Sequence, residues 1–135
     1  IIGISREFNI TELTNAIAYG NAAKAFKIAY YFGESPKQYP LPKTLGFLFF
    51  FFWKLEQIHA YTLQSTRPSL QEAASQAGLY YRTATSYIAA AQRYPLRKTM
   101  RIISSLKECD MKSKSNSRGS ATEGELLIEL LGKIF

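Results

Sequence analysis

Catalysis and metal binding need several polar side chains converging on one point, and this sequence offers few. His59 is the single histidine and Cys109 the single cysteine. A zinc site needs three or four His, Cys or carboxylate ligands, and neither residue has a partner in an H-x-E or C-x-x-C arrangement. The expectation is that His59 is packed or hydrogen-bonded within a helix and that Cys109 is a passive thiol. Glu123, Glu125 and Glu129 lie close together, but acidic residues at a helix start complement its positive end, which accounts for the first two. There is no glycine-rich phosphate loop of the G-x-x-x-x-G-K-[ST] type. No catalytic set, metal site or cofactor is expected.

Positive charge is the next chemical resource. Between Arg82 and Arg118 there are nine basic residues against two acids, Glu108 and Asp110, and this excess equals the whole net charge of +7. A basic half fits a phosphate-bearing neighbour or an acidic protein surface; the other reading is a solvated helical face. Arg97, Lys98, Arg101, Lys112 and Lys114 are the candidate phosphate contacts. One stretch also resembles a helix-turn-helix, SLQEAASQAGLYYRTATSYIAAA over residues 69–91. Ala74 and Gly78 have the spacing of that motif, and Arg82, Thr83, Thr85 and Ser86 would face a groove. Against it, Ala84 and Tyr87 stand where the motif usually has branched apolar residues. A helix-turn-helix DNA-binding module is therefore the alternative function.

The elements that must hold these residues read as helices throughout, since no segment alternates with strand-type punctuation. The chain has 135 residues, which suits one domain around a single core. It is 47% hydrophobic and 14% aromatic, a composition that excludes a disordered chain. One cysteine excludes a disulfide framework within the chain and fits a reducing cytoplasm. The opening residues show no signal peptide, and the chain begins at Ile1, as a piece of a longer protein would. Capping boxes are expected at Asn9/Glu12, Ser69/Glu72 and Thr122/Glu125. Helices follow over about 9–19, 21–32 with Gly33 as its stop, 42–64, 69–78, 81–93, 95–112 and 123–135. Residues 113–122 form a flexible polar loop. The expected fold is all-α, a compact bundle of about six to seven helices.

The third helix carries the stretch TLGFLFFFFWKL, residues 44–55. Its apolar run, Leu45 to Trp53, is about half the roughly 20 residues a membrane span needs, so no membrane association is expected. Leu45, Leu48, Phe52, Leu55 and Ile58 form one seam at helical spacing, while Phe47, Phe50, Phe51 and Trp53 cover other faces. Such a helix is either central in its own domain or docked on a neighbouring chain, where large aromatic residues are favoured. Phe47, Phe50 and Trp53 are the candidate interface residues.

Taken together, these residues resemble the C-terminal domain of the delta subunit of bacterial DNA polymerase III, the clamp-loader subunit, in its Bacteroides-like form. The resemblance covers nearly the whole chain: GISREFN (3–9), ELTNAI (12–17), TLGFLF (44–49) with Phe51, Phe52, Lys54, Leu55 and His59, AAQRYP (90–95), RIIS (101–104), Glu108, Asp110, KSK (112–114), and GELL (124–127) with Glu129, Leu130, Lys133 and Ile134. Order and spacing carry it rather than any single motif. The chain departs from the family at Phe50 and Trp53, where polar residues are usual, at Tyr80-Tyr81 in place of an Asn-Pro-like turn, and at residues 115–118, which interrupt a usually glycine-rich stretch.

The resemblance implies a non-catalytic collar domain over residues 9–135, with 1–8 as the exit from a missing lid domain. In this family the helical domains of five subunits close into a collar. The implied partners are the delta-prime and tau/gamma subunits through the collar, the sliding clamp through the missing N-terminal part, and nearby primer-template DNA. The parent would be a subunit of the polymerase III holoenzyme without ATP hydrolysis of its own, cytoplasmic and nucleoid-associated.

Overall fold

Most helices begin where a short polar side chain can replace the missing turn. Asn9 Oδ1 accepts the Glu12 N–H at 2.9 Å and Asn21 Oδ1 the Lys24 N–H at 3.1 Å. Both Ser69/Glu72 and Thr122/Glu125 close reciprocal capping boxes. Pro40 and Pro95 precede two further helices, where a missing N–H costs nothing.

The computed structural model describes residues 8–115, 119 and 121–135. Among them the chain forms seven helices and no strand: α1 (Ile10–Ala18), α2 (Ala22–Glu34), α3 (Leu41–Thr62), α4 (Leu70–Gln76), α5 (Tyr81–Arg93), α6 (Leu96–Ser113) and α7 (Glu123–Ile134). The fold is the expected all-α bundle. The lid exit expected over 1–8, apart from Phe8, and residues 116–118 and 120 of the expected loop lie outside the described residues.

α3 is the central element and packs against α1, α4, α5, α6 and α7. Leu45, Leu48, Phe52, Leu55 and Ile58 are buried, as their spacing predicts. Phe51 joins them, contrary to its expected place on another face. Helical rotation puts it one step from Phe52, on the core side, where it stacks on Tyr87 with ring centroids 4.7 Å apart.

The expected stop at Gly33 is also corrected. α2 runs on through Glu34, and Gly33 meets Gly124 of α7 so closely that a Cβ on either would lie 2.9 Å from the other's Cα. This glycine serves an interhelical contact instead of a helix end. Gly20 does end α1 as expected, at φ +71°, with the Arg93 guanidinium filling the space beside it.

Candidate functional site

A helix of large apolar residues would normally bury them all, yet α3 buries only one stripe. On the opposite side Phe47, Phe50 and Trp53 are 46%, 51% and 40% exposed, with Phe49 beside them. All three candidate interface residues therefore lie on one exposed face. Phe50 and Trp53 contact each other at 6.0 Å between centroids. The Lys54 ammonium lies 5.8 Å from the Phe50 ring centre and 5.5 Å from that of Trp53, close enough for attraction to the ring faces. Lys54 also donates to the Ala77 carbonyl at 2.8 Å, at the negative end of α4.

The face is sculpted. A groove of about 410 Å3 runs between α1, α3 and α5, with Phe47, Phe50 and Phe51 as its floor and Thr14, Arg82 and Ser86 on its walls. A smaller groove of about 200 Å3 shares Ile10 and Phe47 with it and extends to Tyr39 and Lys43. Phe49 faces a separate hollow against α6, beside Leu106 and Lys107. No single stretch of sequence signals this trough, because its walls come from helices far apart in the chain.

Three of the four residues of the suspected reading helix, Arg82, Thr83 and Ser86, line this trough. Thr85 is exposed and donates to the Tyr81 carbonyl at 3.3 Å. Ala84 and Tyr87 are buried against the core. α5 is thus one wall of a concavity.

The five candidate phosphate contacts do not form one patch. Arg97 and Arg101 sit one turn apart near the start of α6, around Met100 in a shallow hollow. Neither is in an ion pair with another described residue. Lys98 lies over the Tyr94 ring at 5.5 Å. At the far end of α6, Lys112 pairs with Glu129 at 3.5 Å and Lys114 with Asp110 at 3.1 Å. Lys133 adds contacts to Glu108 at 3.8 Å and Glu129 at 3.9 Å. Opposite charges there tie α7 to α6.

His59 and Cys109 are held in the scaffold. The His59 Nε2 donates to the Tyr94 carbonyl at 2.7 Å. Cys109 is buried, with Sγ 3.9 Å from the Leu126 carbonyl, and burial pushes its thiol up from its ordinary value. Glu125 is held below the usual carboxylate range by the Thr122 N–H and hydroxyl, a capping effect. Among the described residues no three His, Cys, Asp or Glu side chains come together to hold a metal ion, and no helix is long and apolar enough to cross a membrane.

Compared with known protein families, curated proteins and solved structures, the chain finds no match in any of the three.

Proposed function

We propose that this domain is a non-catalytic assembly module of the clamp-loader collar type, working in the cytoplasm within the complex that opens and loads the sliding clamp on primed DNA. The observation that carries the reading is the exposed face of Phe47, Phe50 and Trp53 on a helix whose other side is core. Half-exposed rings of this size leave roughly 2 kcal/mol each of burial free energy unrealised, which association with another subunit recovers. The family resemblance supplies the partners: the delta-prime and tau/gamma collar domains. The excess positive charge supports a place near primer-template DNA, where attraction to phosphates carries no sequence information.

The test is to mix the domain with delta-prime and tau collar domains together and follow co-elution at micromolar concentration. A joint complex is expected. Phe50→Ala and Trp53→Ala should weaken it at least roughly tenfold, as truncated interface anchors do, with little change in folding stability. Phe52→Ala should instead cost about 3–5 kcal/mol of stability, as a core cavity does. Absence of any complex with all partners present overturns the reading.

A further inference from the structure

The trough between α1, α3 and α5 has a chemistry that restricts what can fill it. Its floor is aromatic, with Phe47 shared by both of its sections. Its charged lining residues are Arg82 at one end and Lys43 at the other, and no aspartate or glutamate lines either section. Neither cation is in an ion pair with a described residue. Lys54, over the neighbouring Phe50 and Trp53 rings, adds a third positive charge at the rim.

We infer that this trough seats an acidic amphipathic helix of a partner protein, its apolar side chains on Phe47 and Phe50 and its carboxylates against Arg82 and Lys43. Three points support that occupant. The walls come mostly from α1, α3 and α5, with Asn9, Gln38 and Tyr39 from outside the helices, and none of them is a strand. They offer no free strand edge to an extended peptide, so the occupant must satisfy its own main chain, as a helix does. From Lys43 to Phe51 the floor follows about two turns of α3, or roughly 12 Å. That length takes apolar anchors at i, i+3 or i+4 and i+7 of a docked helix. The charge is complementary to carboxylates, but two lining cations are too few to track a nucleic-acid backbone, whose grooves are lined with positive charge throughout. The inference rests on the proposed docking role of α3 and names the kind of element that docks there.

Trp53, the single tryptophan, touches Phe50 and reports on the trough by its fluorescence. The probes are two amphipathic peptides of about 14 residues, four turns, one of Leu, Ala and Glu and the other with Lys in place of Glu, and a thymidine oligonucleotide. The Glu peptide should shift Trp53 emission and bind at least roughly tenfold more tightly than the Lys peptide at low salt. Arg82→Glu, which places an acid in the first turn of α5 where helices tolerate it, should remove that preference. Lys43→Glu should act in the same direction. Equal binding of the two peptides, unchanged preference in both variants, or tighter binding of the oligonucleotide overturns the inference.

The collar-subunit mixture separates this from the broader reading. If the wild type and Arg82→Glu, Lys43→Glu assemble equally well, the trough is not the seat, while the assembly role stands. If the Glu peptide binds as expected and no subunit complex forms, the acidic-helix site stands and the collar assignment falls.

Discussion

Glu123, in the first turn of α7, accepts the main-chain N–H of Leu41, in the first turn of α3, at 2.7 Å. One carboxylate thereby complements the positive start of two helices. α3 has no capping side chain of its own, so Glu123→Ala should destabilise the fold by about 1 kcal/mol. Glu123→Gln, which keeps an acceptor and loses the charge, should cost less. Urea denaturation of the two variants measures both.

Tyr94 is the buried joint between α5 and its neighbours. Its hydroxyl donates to the Ile17 carbonyl at 2.8 Å, and its own carbonyl accepts from His59 at 2.7 Å and from the Thr99 hydroxyl at 3.1 Å. Tyr94→Phe leaves the ring in place and the Ile17 carbonyl without this donor. A loss of about 1–2 kcal/mol is expected in the same denaturation experiment.

The same residue predicts a pH response. Burial pushes the Tyr94 hydroxyl up to about 12, against an opposing pull from Arg93, and burial alone pushes Tyr87 up to about 12. The folded chain therefore keeps protons that the unfolded chain releases near its ordinary tyrosine value of about 10. This contribution is fully present below about pH 10 and is lost as pH rises towards about 12. Urea midpoints should fall through that window, and Tyr87→Phe should flatten the fall.

Glycine substitutions should split by sign. Gly33→Ala or Gly124→Ala forces a methyl group against the facing backbone and should cost about 1–3 kcal/mol. Gly46 lies inside α3 with nothing near its absent side chain. Gly46→Ala should stabilise by up to about 1 kcal/mol. Thermal unfolding of the three variants checks the ordering.

If the basic side of α6 meets nucleic acid, Arg97 and Arg101 should matter most. Removing either should lower the salt dependence of binding by roughly one unit of log–log slope, equally on all sequences. Lys112→Ala and Lys114→Ala should do less, because Glu129 and Asp110 already balance them. Sequence-dependent binding that falls more with Arg82→Ala than with Lys112→Ala would instead mark α5 as a reading helix.

Local rules made most of the helices legible in advance. Ser69 with Glu72 and Thr122 with Glu125 mark helix starts because the cap and its partner are three residues apart. The α3 seam was legible because burial follows the helical repeat. What escaped depends on distant contacts. Gly33 reads as a stop until Gly124 is brought against it. Glu123 reads as a first-turn acid until α3 arrives beside it. Phe47, Phe50 and Trp53 were singled out by type, but the trough beside them needed α1 and α5 in place. The five basic residues looked like one group because sequence proximity hides Glu129, which α7 brings against Lys112.

The contact between Gly33 and Gly124 also bears on the order of assembly. α2 packs chiefly on α7 and α1, and most of the chain lies between α2 and α7. α7 brings Leu126, Leu127, Leu130, Leu131 and Ile134 to the core. A ribosome adding roughly 5–20 residues per second leaves the side of α2 that packs on α7 without that cover for on the order of ten seconds. Through that interval the nascent chain is an incomplete bundle with an open apolar seam, and its sixth helix is finished before the helix that seals the second.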